Sequence, residues 1–304
     1  SIPHGDSWDE RAWSPLRAPG VGIEVGDRLL AIDGAEIGKD RAPAEALVDR
    51  AGRAVRLTVR RGRRKARLTT VRALESETPL RYRDWVEANR RWVLEQSDGR
   101  AGYIHLPDMG PNGFAEFHRS WMSEVDHDGL VLDVRFNRGG NVSHLLLEKL
   151  LRRRIGYRVT RWTEPYSIPA DAPAGPMVAL TNENAGSDGD IFSHAFKMYG
   201  LGPLIGTRTW GGVIGIWPQQ SLVDGTITTQ PEFSNWFEDV GWEVENYGTD
   251  PDIEVVITPQ DYAAGRDPQM ERGVQELLRI IDEQQPAVPD FGARPAKTPP
   301  RLPR

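Results

Sequence analysis

One serine in this chain lies where the nucleophile of an acyl-transfer enzyme would be expected. Ser187 follows the apolar run 177–180, which predicts a buried strand, and precedes residues 191–196, which predict a helix. A serine on such a glycine-containing turn presents its hydroxyl outward, and the backbone N–H groups after it lie at the positive end of the helix. That arrangement suits attack on a carbonyl group. A serine that only caps the helix is the alternative, and the residues alone leave it open.

A second turn supplies residue types that suit an oxyanion hole. The segment 137–141 reads Asn-Arg-Gly-Gly-Asn and follows the apolar strand predicted at 130–135. Glycines there let backbone N–H groups approach a ligand closely. One oxyanion donor would come from this turn, and the N–H of Asp188 would be the other. The alternative is a plain turn between a strand and a helix.

The elements that must position these turns alternate between strand and helix. Strands are predicted at 102–106, 130–135 and 177–180, and amphipathic helices at 114–125, 142–152 and 269–283. This alternation indicates an α/β domain whose parallel or mixed sheet has helices on its faces. The stretch 213–257 is predicted to be rich in strands.

The first part of the chain has a different pattern. The stretch "APGVGIEVGDRLLAIDGAEI" and the alternating residues 54–62, which predict an edge strand, resemble a PDZ domain. PDZ domains bind extended peptides by adding a strand to a sheet. The predicted domains are therefore a small β-rich PDZ-like unit at 1–75, an α/β domain at 76–285, and a proline-rich disordered tail at 286–304.

Six ordered motifs resemble the C-terminal half of the tricorn family of serine peptidases: "RYRDWVEANRRWV", "GRAGYIHLPDMG", "LVLDVRFNRGG", "NENAGSDGDIFSHAF", "IGTRTWGG" and "EVENYGTDPDIEV". The resemblance implies a crotonase/ClpP-like α/β fold with a mixed sheet. It also implies that Ser187 is the nucleophile, that Gly140 and Asp188 form the oxyanion hole, and that Glu245 orients a catalytic histidine through a second serine. Taken without the resemblance, Glu245 is also consistent with a surface acid on an edge strand.

The resemblance further implies a biological setting. It predicts a cytoplasmic homo-oligomer, hexameric by likeness, that cleaves oligopeptides released by the proteasome. Two alternatives from other classes stay open: a non-catalytic peptide-binding module, and a structural piece of a larger peptidase assembly.

The general base is not evident from the sequence. Related carboxy-terminal processing peptidases use a lysine after a "GxxTxG" turn, but the corresponding stretch 206–212 contains no lysine, and Arg208 stays protonated. Of the six histidines, His194 is two helical turns beyond Ser187, whereas His144 and His4 remain open. The resemblance places the catalytic histidine upstream of the PDZ domain. The chain, which begins Ser1-Ile2-Pro3, is therefore expected to be a fragment.

Composition excludes several function classes. The 304 residues include no cysteine, so disulfides and thiol catalysis are excluded. A net charge of −6 argues against nucleic acid as a partner, and no apolar run approaches the length of a membrane span. The histidines lack the paired spacing of a zinc site, and Gly211-Gly212 is followed by no lysine of a phosphate loop. We therefore expect neither a metal nor another cofactor.

Overall fold

The structure, a computed structural model, describes residues 2–6, 9, 12–217, 220–284, 287–293 and 295. The chain divides into two compact units, residues 1–89 and residues 90–304. Each unit has its own sheet.

The first unit is built on a small antiparallel sheet. Its elements are β1 (Arg28–Ile32), β2 (Ala35–Glu36), α1 (Pro43–Ala46), β3 (Ala54–Arg60), β4 (Arg67–Arg72) and the start of α2 (Thr78–Gln96). The strand order is β2-β1-β3-β4, and its apolar core includes Ile32, Val55, Leu57 and Val59. The prediction of an edge strand at 54–62 was wrong, because β3 lies between β1 and β4. Its alternation of buried and exposed residues reflects one solvent-facing side of the sheet, not a free edge.

The second unit is an α/β domain. Its elements are the end of α2, β5 (Ala101–His105), α3 (Pro111–Glu124), β6 (Gly129–Asp133), α4 (Ser143–Leu150), β7 (Gly156–Arg158), β8 (Tyr166–Ile168), β9 (Met177–Thr181), α5 (Asp188–Met198), β10 (Leu204–Gly206), β11 (Ile253–Glu254), α6 (Pro259–Ala264) and α7 (Pro268–Glu283). The main sheet has the order β11-β10-β9-β6-β5, and every described pair in it is parallel. A separate hairpin pairs β7 with β8 antiparallel.

Helices cover the main sheet on both faces, as a parallel sheet requires. Alternate strand residues such as Leu130 and Leu132 pack with Phe117, Trp121 and Phe192 from the helices of one face. On the other face α7 lies close enough that Gly273 contacts Leu180 and that Leu277 and Ile281 contact Gly129. The predicted α/β class with a β-rich unit ahead of it is confirmed.

The stretch 213–257 was predicted to be strand-rich, and this prediction was wrong. Its only named strand is the two-residue β11, and its other described pairing is limited to the isolated bridges Gly215–Phe233, Ser221–Ile227 and Phe237–Gly241. Its apolar residues alternate, but many of them, such as Ile216, Leu222 and Ile227, are exposed and face no sheet. Of the tail predicted at 286–304, only 287–293 and 295 are described, with a 3-10 turn at Phe291–Ala293, and the rest lies outside the described residues.

The topology places the two predicted turns together. Strands β6 and β9 are parallel neighbours, so their carboxyl ends lie at the same edge of the sheet. The turn 137–141 follows β6, and the turn that contains Ser187 follows β9. Among the described residues, no helix is long and apolar enough to cross a bilayer.

Candidate active site

Ser187 occupies a strained bend immediately before α5. Its backbone has φ 57° and ψ −120°, a conformation that is uncommon for a residue with a side chain. The side chain is half-buried and makes no capping hydrogen bond to α5, so the simple helix-cap alternative is not what the structure contains. No hydrogen bond joins its Oγ to another described residue. A hydroxyl on a strained bend at the start of a helix has the geometry of a nucleophile elbow.

The glycine turn after β6 packs directly against this bend. The N–H of Gly186 donates to the carbonyl oxygen of Asn137 at 3.0 Å. A Cβ atom on Gly139 would lie only 2.5 Å from Cβ of Ser187 and 3.0 Å from its Oγ, and Gly139 has a φ of 74°. Gly140 has a φ of 150°, and a side chain there would meet the carbonyl oxygen of Met109 at 1.9 Å. Both glycines are therefore required by the space and by the backbone conformation.

The side chain of Asp188 fixes the start of α5 against the start of α4. Its carboxylate accepts the N–H of Ser143 at 3.0 Å and the hydroxyl of Ser143 at 2.5 Å, and both residues are buried. A carboxylate at the first turn of a helix is favoured by the helix dipole. The side chain thus holds the starts of α4 and α5 together, and the backbone N–H of Asp188 lies beside Ser187.

Asn137 is a site residue that the sequence reasoning missed. It is completely buried, its Nδ2 donates to the carbonyl oxygen of Leu106 at 2.7 Å, and its Oδ1 accepts the N–H of Gly139 at 2.9 Å. With its own carbonyl bound to Gly186, this one residue joins the end of β5, the glycine turn and the serine bend. The available signal was a polar residue in a glycine turn directly after a buried strand, because such a residue must find partners.

A buried ion pair between Arg135 and Asp133 stabilises the end of β6. The guanidinium of Arg135 donates to Asp133 from Nε at 2.9 Å and from Nη2 at 2.7 Å, and Nη1 donates to Asp267 at 2.8 Å. Burial by itself raises the pKa of Asp133, but the adjacent Arg135 charge outweighs it and holds that pKa below its usual value. Because Asp267 caps α7, the pair ties the turn after β6 to a distant helix.

Glu245 lies on a turn that contacts the segment after β10. Its Oε2 accepts the N–H groups of Val213 at 2.7 Å and Ile214 at 2.8 Å, and no described residue bonds to its Oε1. The next residue, Asn246, has a φ of 63° and donates its N–H to the carbonyl oxygen of Gly211 at 2.7 Å. The half-buried carboxylate therefore has one oxygen fixed by the backbone and one available to a further group.

Asp190 connects this segment to the serine bend. It lies three residues after Ser187, is fully buried, and accepts the N–H of Gly211 through Oδ1 at 2.8 Å. Burial raises the pKa of Asp190, against the opposing effect of the Thr209 hydroxyl and nearby amide groups. A second link is the hydrogen bond from the N–H of Trp210 to the carbonyl oxygen of Ala185 at 2.9 Å. The segment after β10, which contacts Glu245, is thus joined to the bend at Ser187 by two hydrogen bonds.

No described histidine forms a hydrogen bond with Ser187. Four of those in the second unit have other partners, namely His105 with the Arg135 carbonyl, His118 with the Phe114 carbonyl, His127 with the Gly99 carbonyl, and His194 with Asp239 and Thr249. His144 is exposed on the first turn of α4, and His4 in the first unit contacts Arg17. Of the two histidines that the sequence left open, neither bonds to Ser187.

Among the described residues, no three His, Asp or Glu side chains are grouped in a way that could hold a metal ion. The candidate site described above consists of the hydroxyl of Ser187, two backbone turns and the carboxylate of Glu245. Such a set can stabilise the negative charge of a tetrahedral intermediate, provided that a proton acceptor reaches the hydroxyl.

Comparison with known proteins points in the same direction. The family model of peptidase family S41 matches residues 100–255, and that of the tricorn protease PDZ domain matches residues 1–76. The chain is 49% identical over 97% of its length to tricorn protease homolog 1 of Streptomyces coelicolor, and 46% identical over 93% to the tricorn protease of Thermoplasma volcanium. It is also similar to a crystal structure of the tricorn protease, with a TM-score of 0.88 and 46% identity over 92% of this chain.

The relatives are much longer proteins. The chain spans 27% of the length of each of the two relatives and 27% of the chain in the crystal structure. A carboxyl-terminal-processing protease of Picosynechococcus is more distant, at 30% identity over 65% of this chain. The likeness thus extends over nearly all of this chain but over only part of each tricorn relative.

Proposed function

Because this chain belongs to peptidase family S41, we propose that it carries the nucleophile and oxyanion hole of a tricorn-type serine peptidase. In this proposal Oγ of Ser187 attacks the carbonyl carbon of a peptide bond. The N–H groups of Gly140 and Asp188 donate to the oxygen as it becomes negative. The amine leaves, and water then releases the acyl group from Ser187.

One observation carries the proposal. The glycine turn after β6 touches Ser187, with Gly139 so close that a Cβ would meet Cβ of the serine at 2.5 Å. Two separate strand ends thereby supply a hydroxyl and backbone amides to one place. Removal of one such amide donor typically reduces kcat by about 100- to 1,000-fold.

The proton acceptor is proposed to be a histidine from outside the segments described above. Glu245 supports it, because Oε2 is fixed by two backbone N–H groups while Oε1 receives no hydrogen bond from the described residues. That leaves one carboxylate oxygen to orient the histidine through an intervening hydroxyl. Asp133 and Asp188 cannot serve in this way, because each is already held by a buried partner.

The substrates proposed are oligopeptides, including those released by the proteasome. We further propose that the protein works in the cytoplasm as a homo-oligomer of six copies, as the resemblance of its motifs to the tricorn family implies. The proposed domain bounds remain 1–75, 76–285 and 286–304, and the PDZ-domain match at residues 1–76 supports the first of them.

Covalent labelling tests the proposal directly. A fluorophosphonate probe should react with the wild-type chain, supplied with its upstream region, at Ser187, and mass spectrometry of the labelled peptide should identify that residue. Ser187→Ala should abolish labelling and peptide hydrolysis. Ser193→Ala is a matched control on the same helix, because Ser193 is buried and donates to the carbonyl of Gly189. Labelling elsewhere, or labelling that survives Ser187→Ala, would refute the assignment.

A non-catalytic peptide-binding module is the second candidate. The observation that favours it is that no described histidine bonds to Ser187. On this alternative the longer protein binds oligopeptides but neither reacts with the probe nor releases new amino termini. Peptide binding measured by calorimetry without any labelling would select it over the peptidase.

A further inference from the structure

The first unit concentrates positive charge on one hairpin. Residues 53–72, which contain β3, β4 and the loop between them, include eight arginines, one lysine and no acidic residue, although the chain as a whole has a net charge of −6. Several exposed cations on this hairpin and on the neighbouring β1 have side chains that bond to no described residue, namely Arg28, Arg53, Arg56, Arg63, Arg64 and Lys65. Unpaired charge of one sign on so small a surface attracts anionic groups.

The outer edge of β4 is open to a further strand. β4 is the last strand in the order β2-β1-β3-β4, and Ala73 at its end donates its N–H to the carbonyl oxygen of Arg53 at 2.8 Å. Because alternate residues of an antiparallel strand bond to the same neighbour, Leu68, Thr70 and Arg72 direct their N–H and C=O groups away from β3. No described residue bonds to these outward groups. An edge of this kind can accept another polypeptide strand.

A groove of about 870 Å³ lies beside the second half of this edge. Residues 70–73 form one of its walls, and the apolar residues Trp13, Pro15, Ala18 and Val21 form another. Val21 and Val71 belong to the same apolar core, so this second wall lies on the core side of β4. None of the described residues that line the groove belongs to α1.

The two faces of the sheet at this edge differ in chemistry. Arg56 lies between the buried Val55 and Leu57 of β3, so its side chain is on the face opposite the core. It pairs across the ladder with the exposed Thr70 of β4. Since the side chains of a strand alternate between the two faces, an added strand places every second side chain against the apolar wall. The remaining side chains lie on the basic face.

The charge of this face selects an acidic partner. Arg72 on β4 and Arg56 on β3 lie one and two strand spacings from an added strand, about 5 and 10 Å. Both spacings are within the Debye length of about 10 Å at an ionic strength of about 0.1 M, so carboxylates on that strand are attracted. A second copy of the same basic edge is repelled. A nucleic acid matches the charge but lacks the alternating amide donors and acceptors that this edge requires.

We propose that β4 is a docking edge for an acidic, extended segment of a partner protein, which joins the sheet as an antiparallel strand. In this direction the segment begins beside Glu75, which lines the groove, and its later residues approach the loop that carries Arg63, Arg64 and Lys65. The acidic residues of the partner are therefore concentrated toward the end of the segment. Every residue of this surface belongs to the first unit, so the proposal does not depend on the peptidase function.

The test measures binding of a designed peptide to the 304-residue chain by fluorescence anisotropy. The labelled probe, Ser-Val-Ser-Val-Glu-Val-Glu-Glu, alternates apolar and polar residues and carries its charge near its end. We expect saturable binding that weakens as NaCl is raised. The same peptide with each Glu replaced by Gln should bind at least about tenfold more weakly. A peptide with proline as its third and fourth residues keeps all three charges but loses a main-chain donor in either register, and should also bind roughly tenfold more weakly.

Variants of the chain test the same contacts from the other side. Arg63→Glu/Arg64→Glu/Lys65→Glu should weaken binding by roughly tenfold or more. The matched control Arg152→Glu/Arg153→Glu/Arg161→Glu changes the net charge equally at exposed positions of the second unit and should stay within about twofold of the wild type.

Thr70→Pro removes an N–H that points away from β3, at a kind of position where edge strands tolerate proline. It should weaken binding by roughly fivefold to tenfold while circular dichroism shows a folded chain. If this variant does not fold, the proline-containing peptide tests the same main-chain bonds.

Four results would overturn the docking edge. They are the absence of saturable binding by the acidic probe, equal affinity for the glutamine peptide, equal affinity for the proline peptide, and equal affinity of the two triple variants. A uridine octamer that binds the wild type as tightly as the probe does would also overturn it, because the surface would then recognise negative charge without a strand.

Discussion

Replacement of Asn137 by alanine tests whether the glycine turn is held in place by a single side chain. The change removes the donor to the carbonyl of Leu106 and the acceptor from the N–H of Gly139, both at a completely buried position. Leaving a buried donor or acceptor unsatisfied costs about 1–3 kcal/mol for each group. The sum is about 2–6 kcal/mol, and partial relaxation favours the lower half of that range. With a total stability of about 5–15 kcal/mol for a typical domain, the variant should remain folded in the absence of denaturant.

Two measurements follow from this reasoning. Urea unfolding should show a free energy of unfolding lower than that of the wild type by about 3 kcal/mol. The rate of fluorophosphonate labelling should also fall, by roughly 100-fold if the turn no longer presents its amide. The second readout matters because a loss of stability alone leaves the labelling rate of the folded fraction unchanged.

Asn141→Ala is the matched control, because Asn141 lies on the same turn and loses the same atoms but is exposed. We expect it to change the free energy of unfolding by less than about 0.5 kcal/mol, as surface substitutions usually do. The reasoning is refuted if the two variants have equal stability, or if Asn137→Ala is destabilised but labels at the wild-type rate.

Three other substitutions bear on the same site. Gly139→Ala should abolish labelling of Ser187, because the new Cβ would lie 2.5 Å from Cβ of Ser187. Mass spectrometry after treatment with the probe measures this labelling. Glu245→Ala should lower kcat for peptide hydrolysis and destabilise the half-buried turn by roughly 1–3 kcal/mol, measured by steady-state kinetics and urea unfolding. Burial raises the pKa of Asp190 in the folded state, so its contribution to stability is present below about pH 4 and is lost as the pH rises through the folded-state pKa. Relative to Asp190→Asn, the wild type should therefore lose stability between pH 4 and pH 7, as urea unfolding at the two pH values will show.

Each of these three predictions has an outcome that would contradict it, and the first two have a matched control variant. Gly200→Ala introduces the same left-handed strain at a φ of 62° where nothing lies within 4 Å, so it should keep wild-type labelling; labelling of Gly139→Ala at that rate would contradict the first prediction. Glu243→Ala removes an exposed acid near Glu245 and should leave kcat unchanged, whereas equal kcat values for the two variants would contradict the second. A stability difference between the wild type and Asp190→Asn that stays constant with pH would contradict the third.

The sequence predicted best the elements that are buried on both sides. β6 and β9 are continuous apolar runs, and both were placed within two residues of their bounds because burial leaves few other choices. The stretch 213–257 was wrongly predicted to be rich in strands. Alternating apolar residues form a strand only where neighbouring strands are available for pairing, and most of this stretch has none in the described structure. For β3 the alternation was correctly recognised, but which strands flank it depends on the long-range pairing with β1 and β4.

The site could be predicted in part. Ser187 and the glycine turn were identified because both follow apolar strands, and parallel neighbours bring such turns together. Asn137, Asp190 and Arg135 were missed, because each also bonds to a distant segment: Asn137 to Leu106, Asp190 to Gly211 and Arg135 to Asp267. Asp267, for example, holds Arg135 from the start of α7, and local sequence patterns carry no information about that contact.

The parallel arrangement of β6 and β9 has a consequence for when reactivity arises during folding. The hydroxyl and the amide turn come from different strand–helix crossovers, and parallel strands cannot meet until the intervening chain has looped back. Such long-range pairing is slow to form. If Ser187 is the proposed nucleophile, a partly folded chain therefore has the serine without its amide turn, and peptidase activity can arise only after β6 and β9 have paired.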